Sequence, residues 1–166
     1  MIERLRVSRL SVAQWERGRD LRLRALARDP DAFASTLDHE RGFPPSAWQD
    51  RLRREDAATF VARRHGLDAG IAVGAAWAGR PGTAGLFGMW VAPDARGAGL
   101  GDALVAAVVE WSRDAGYDRL VLEVGDENAA AIALYERHGF RPTGRSHAMP
   151  SPREHFGEHE RALSLR

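Results

Sequence analysis

Val91-Ala-Pro-Asp-Ala-Arg-Gly-Ala-Gly-Leu-Gly-Asp-Ala-Leu-Val105 runs from the end of a hydrophobic strand through a glycine-rich turn straight into a helix. Gly97, Gly99 and Gly101 omit side chains where a backbone has to approach a ligand closely. The helix they open presents unpaired N–H groups and the positive end of its dipole. The turn therefore reads as a seat for pyrophosphate. Rossmann domains, P-loops and purely structural turns use the same device, so its meaning depends on what flanks it.

Upstream lie alternating apolar runs: Ala58-Thr-Phe-Val-Ala62, then Ile71, Val73, Ala75 and Trp77 at period two, then Leu86-Phe-Gly-Met-Trp-Val91. They predict three antiparallel strands, with turns at His65-Gly66 and at Gly79-Arg-Pro-Gly82. Downstream, Leu100, Leu104, Ala107, Val108 and Trp111 form a helical stripe ended by Gly116. Leu120-Val-Leu-Glu-Val124 then reads as a buried strand, residues 128–138 as a helix ending at Gly139, and residues 140–148 and 158–165 as two last strands. The first third carries two helical segments, with Ser11 and Gln14, and Ser46 and Gln49, each fitting a capping box. Asp29-Pro30 ends the first of them, and residues 31–45 read as a loop or loose helix.

This order predicts an α/β (α+β) fold with a mixed, mostly antiparallel sheet, helices on both faces and a central parallel strand pair joined by a right-handed crossover around the glycine turn. Antiparallel strands ahead of the turn do not fit the doubly wound parallel sheet of a dinucleotide-binding domain.

With 166 residues, 44% of them hydrophobic, the chain is long enough to bury a core and is expected to form one domain over residues 1–166. No apolar run approaches the roughly 20 residues that span a bilayer, and Met1-Ile-Glu-Arg-Leu-Arg lacks the order of a secretory leader. The expectation is a cytoplasmic chain without a membrane partner. The absence of cysteine excludes a thiolate nucleophile, a disulfide framework and a zinc-thiolate site. All 24 Lys+Arg positions are arginine, and the net charge is +1. Without lysine there is no Schiff-base chemistry. Acidic residues interleave with the arginines, as in Arg51-Leu-Arg-Arg-Glu-Asp56, which argues against a nucleic-acid partner.

Two segments then resemble the GCN5-related N-acetyltransferase (GNAT) superfamily. Arg96-Gly-Ala-Gly-Leu-Gly101 is similar to its acyl-CoA signature, and residues 122–140, with Asn128, Tyr135 and the Gly139-Phe140 ending, are similar to its strand, asparagine, helix and tyrosine segment. The resemblance implies acetyl-CoA as cosubstrate and no metal. Met89, Trp90 and Val91 would offer backbone groups to the pantetheine arm, like one more strand. Arg96, Gly97, Ala98, Gly99, Leu100 and Gly101 would hold the pyrophosphate, Asn128 would hydrogen-bond the pantetheine, and Tyr135 would face the thioester sulfur.

Acetyl transfer to an amine makes two demands. An alkylammonium has a pKa of about 10.4, so it must lose a proton before or during attack, and the leaving thiolate needs a proton. Tyr135 is the candidate acid. Glu123 is the candidate base; its spacing to Tyr135 is similar to that of the ribosomal-protein alanine N-acetyltransferases of this superfamily. The strand carboxylate of histone-type members has no equivalent, since Gly85 stands at or near that place. A strand residue flanked by Leu122 and Val124 points away from them, toward a cleft or toward a surface arginine.

The expected function is direct acetyl transfer to a primary amine, with a small molecule preferred as acceptor. A protein N-terminus and a noncatalytic acyl-CoA-binding module are the alternatives, and a homodimer stays open. Asp38, Glu40, Trp48 and residues 146–157 are acceptor-site candidates. His138 is assigned to a helix end. His147, His155 and His159, with Glu154, Glu158 and Glu160, lack metal-ligand spacing and are read as a polar loop.

Overall fold

The first element among the described residues is one the sequence does not announce. Arg6–Arg9 is strand β1, only four residues long and polar except for Val7, so no period-two pattern has room to register. This computed structural model describes residues 5–166; Met1–Arg4, part of the stretch considered for a secretory leader, lie outside the described residues. Ser11 N–H donates to Gln14 Oε1 at 3.0 Å, as the capping box predicts, across a short 3-10 turn that leads into helix α1, Trp15–Arg28. Leu21, Ala25 and Leu26 turn into the core, and α1 ends at Asp29-Pro30 as expected.

Within the stretch read as a loop or loose helix, Leu37–Arg41 forms the short helix α2, whose first turn donates from His39 N–H to Thr36 Oγ1 at 3.2 Å. Helix α3 is Pro45–Arg53, and here the expected capping box fails. Pro45 occupies the first helical position, where its missing N–H costs nothing, so Ser46 lies inside the first turn instead of capping it.

Strands β2 (Ala57–Arg64), β3 (Leu67–Ala76) and β4 (Thr83–Val91) form the expected antiparallel meander. Helix α4 (Leu100–Asp114) crosses to β5 (Arg119–Gly125), and helix α5 (Ala129–Arg137) leads to β6 (Arg141–Ala148) and β7 (Gly157–Ser164). The sheet order is β1-β2-β3-β4-β5-β7-β6; β4 and β5 pair in parallel and the other neighbours pair antiparallel. Among the described residues no helix is long and apolar enough to cross a membrane.

The two faces of the sheet are told apart by β3. A Cβ built on Gly70 would lie 2.9 Å from Leu104 Cδ1, and one on Gly74 2.7 Å from Trp111 Cε3, so these positions face α4. Ile71 and Val73 alternate with them and face the opposite side. Through the registers Val73↔Phe87 and Gly85↔Val121, that opposite face also receives Phe87, Val121 and Glu123. Leu120, Leu122 and Val124 point the other way into the core and are at most 4% exposed.

The close approach at Gly74 leaves no room for a methyl group. We expect Gly74→Ala to push α4 off the sheet and to lower stability by about 1–3 kcal/mol, read as a shift of the urea unfolding midpoint.

Candidate active site

Two irregularities in the middle of the sheet create the cleft. Pairing between β4 and β5 covers Thr83↔Arg119, Ala84↔Leu120 and Gly85↔Val121 and goes no further, so the strands part beyond Gly85. On its other edge β4 carries a bulge: Ile71↔Trp90 and Val73↔Phe87 set three steps of β4 against two of β3. Gly88, at φ +59, supplies the left-handed residue this kink requires. A groove of about 1640 Å³ enters the gap, lined among others by Met89, Gly97, Asn128, Glu123 and Tyr135.

The glycine turn opens one end of that groove. Gly97 and Gly99 have φ of +80 and +88, and a Cβ on either would meet no atom within 4 Å. Glycine is thus required there by backbone conformation, and the surface above stays open to a ligand. Gly101 differs: its Cβ would lie 3.2 Å from Leu134 Cδ2, so that glycine serves the packing of α4 against α5. Leu100 buries its side chain and offers only backbone, whereas Ala98 is exposed. Arg96 folds back on the protein, with Nε donating to the Val91 carbonyl at 3.0 Å and Nη2 to Asp29 Oδ2 at 2.9 Å. The same Asp29 oxygen accepts from Trp90 Nε1 at 2.7 Å. Asp29, legible in the sequence only as a helix stop, therefore ties α1 to the strand and to the turn.

Asn128 Oδ1 caps α5 by accepting from Ala131 N–H at 3.2 Å, which leaves its amide N–H groups to donate elsewhere. Tyr135 is 5% exposed, with its ring edge-on to Phe140. Burial pushes its phenol above the ordinary tyrosine range, so it stays neutral and able to donate.

Glu123 lies on the face expected from its alternation with Leu122 and Val124. His147 Nε2 approaches Glu123 Oε2 at 3.3 Å and Glu158 Oε1 at 3.7 Å. Burial pushes the Glu158 carboxyl up, the charges of Glu123 and Asp126 push it further, and His147 opposes them. This carboxylate–imidazole–carboxylate group depends on the β7 register, which sets Glu158 opposite Gly125 and His147, and sequence spacing does not show it. The other members of the polar stretch disperse: His159 Nδ1 meets Asp126 at 2.7 Å, and Glu160 is buried against Arg80 and Thr143. His138 pairs with Asp102 at 2.9 Å, bracing α5 on α4. Gly85 has no space for a carboxylate, since a Cβ there would collide with the Phe87 ring, which stacks on Trp77.

The acceptor candidates separate in the same way. Asp38 is exposed and pairs with Arg41. Trp48 is buried under Arg51. Glu40 is 1% exposed and receives Arg22 through Nε at 3.0 Å and Nη2 at 2.8 Å, with Arg51 Nη2 at 3.2 Å. Strand β6 takes up Ser146–Ala148, so the loop proper is residues 149–156. Buried Arg153 pins it across the groove by donating from Nη2 to the Ala34 carbonyl at 2.7 Å and to the Ser35 carbonyl at 3.4 Å.

Comparison with known proteins agrees with this architecture. The Acetyltransferase (GNAT) family model matches residues 21–140. Mycothiol acetyltransferase of Salinispora tropica is 40% identical over 127 residues, 69% of this chain and 39% of that protein. Human N-acetyltransferase 8 is 39% identical over 37% of this chain and 27% of its own length, so the chain spans less than half of these relatives. Among solved structures, a GNAT-family acetyltransferase of Streptococcus pneumoniae shares the fold at TM-score 0.81 and 20% identity, over 98% of this chain and all (100%) of its own. The ribosomal-protein-S18-alanine N-acetyltransferase of Escherichia coli does so at 0.71 and 24%, over 98% and 94%.

Glu40 yields a test of how the α1–α3 wall is held. Burial pushes its carboxyl up, but hydrogen bonds from Arg22 and Ser35 and the charges of Arg22 and Arg51 outweigh this and leave it below 4.5. A depressed carboxylate stabilises the fold above its unfolded pKa, and the contribution is lost as pH falls through the folded value. Glu40→Gln is therefore expected to cost about 3 kcal/mol at neutral pH, with the wild-type and variant urea curves converging under acid.

Proposed function

The chain belongs to the GNAT acetyltransferase family, and from that premise we propose that it transfers an acetyl group from acetyl-CoA directly to the primary amine of a small molecule. The observation that carries this reading is a single groove that runs from the glycine turn, past the β4 bulge and Tyr135, to Glu123 and Glu158, both approached by His147. The N–H groups above Gly97 and Gly99 suit a pyrophosphate, and the unpaired edge of β4 around Met89–Val91 and the Asn128 amide suit the pantetheine arm.

The amine nitrogen attacks the acetyl carbon and the carbon–sulfur bond breaks. Glu123 takes the proton that the amine releases, directly or through water, and neutral Tyr135 gives its proton to the departing sulfur. The Met89 N–H supports the thioester oxygen. No covalent acyl-enzyme is required, in keeping with a chain that has no cysteine. A small acceptor is favoured because Arg153 pins loop 149–156 onto residues 34 and 35 over the acceptor end. The Salinispora relative is likewise named for mycothiol, not for a protein N-terminus.

Thiol release with a panel of amines and peptides tests the reading. Tyr135→Phe is expected to lower kcat roughly a hundredfold or more while acetyl-CoA binding by calorimetry is kept; unchanged turnover would remove Tyr135 as the acid. Glu123→Gln should depress kcat near neutral pH, and progressively less toward alkaline pH, where the amine is already neutral. Release only with an Ala-starting peptide would point to a protein acceptor, and binding without release to any acceptor would point to an acyl-CoA-binding module.

A further inference from the structure

We infer that the acceptor carries a carboxylate next to its amine, and that the free Nη1 of Arg22 receives it. This rests on the reading of the groove as an acetyltransferase site and names its substrate class: a zwitterionic α-amino acid or a close analogue.

Arg22 is fixed far more firmly than a surface arginine. Its Nε and Nη2 donate to the two oxygens of buried Glu40 at 3.0 and 2.8 Å, and the guanidinium lies 4.8 Å over the buried ring of Phe33. That bidentate grip leaves Nη1, for which no partner is present among the described residues. A Cβ built on Gly88 would come within 3.3 Å of Nη1, so this nitrogen is aimed at the β4 bulge, in the groove that Arg22 and Gly88 both line.

The charge count favours an anion there. One carboxylate, Glu40, is shared by Arg22 and by Arg51 at 3.2 Å, which leaves one guanidinium charge uncompensated. The neighbouring Arg19 and Arg54 are already paired, with Asp20 and Asp56. The other side of the groove has the opposite excess, with Glu123 and Glu158 against the one imidazole of His147 and with Asp126 nearby on His159. An ammonium near those acids and a carboxylate near Arg22 would match both walls at once.

Spacing selects the kind of zwitterion. Nη1 lies beside Gly88, the residue next to Met89, whose amide is proposed to hold the acetyl carbonyl. An amine reaching that carbonyl can carry its carboxylate one or two bonds away, and not at the far end of a long chain. The exposed Phe87 ring, stacked on Trp77 at 5.5 Å, offers an apolar platform on the same face.

The test compares matched acceptors, phenylalanine against phenethylamine and leucine against isoamylamine, by thiol release with wild type and Arg22→Gln. Wild type is expected to favour the carboxylated member by tenfold to a hundredfold in kcat/KM, through KM, an order of magnitude set by a hydrogen bond to a charged group. R22Q should erase that ratio. Because R22Q strips buried Glu40 of its bidentate partner, the double variant R22Q/E40Q is measured beside it, with acetyl-CoA binding as the check on folding. Equal use of both members by wild type, or a ratio unchanged in a variant that still binds acetyl-CoA, overturns the inference. Where neither variant binds, the wild-type ratio decides alone. Release from none of a broad amine panel would instead overturn the acetyltransferase reading, and this inference with it.

Discussion

Everything that makes this sheet functional depends on where one parallel pairing stops. Strands β4 and β5 share register for three residue pairs and then part, exposing backbone that a continuous sheet would have satisfied internally. The bulge at Gly88 bends β4 on its other edge, so the strand stays joined to β3 while it leaves β5. A chain with seven regular strands would bury the same core and have no cleft. The functional surface is thus a controlled defect, kept open because α4 fills the crossover below it and α5 leans on α4 through Leu134 and through Asp102, which holds Arg137 and His138.

The glycine turn and the far end of the groove were legible in the sequence to different degrees. The glycine turn, the α4 stripe and the β5 run stood out because their patterns are long, local and periodic. Strand β1 did not, because four mostly polar edge residues carry no pattern. The start of α3 differs from the sequence expectation because Pro45 can begin a helix that Ser46 only resembles capping. The three glycines read as one motif, yet Gly97 and Gly99 answer to backbone conformation and Gly101 to a leucine more than thirty residues away.

The same division between local and distant causes runs through the charged residues. Glu123 could be assigned a face from alternation alone. Its partner His147 belongs to β6, which returns beside β7, so neither spacing nor composition brings the two together. Glu40 has the profile of an exposed acid beside a helical pair, and it is buried because Arg22 and Arg51 reach it from helices on either side in sequence. Buried ions are set by such long-range partners, and a sequence pattern registers only the side chains and not their meeting.

Helix α1 meets the glycine turn at its end, through Asp29, and the buried Glu40 of the opposite wall seven residues earlier, through Arg22. At 1.5 Å of rise per residue these two attachments are about 10 Å apart on one rigid rod. The helix therefore works as a strut between the glycine turn and the α1–α3 wall, and neither can be re-aimed alone. On the proposed function, a change of acceptor would proceed through side chains along the strut or through loop 149–156, because tilting the strut itself would pull on Trp90 and Arg96.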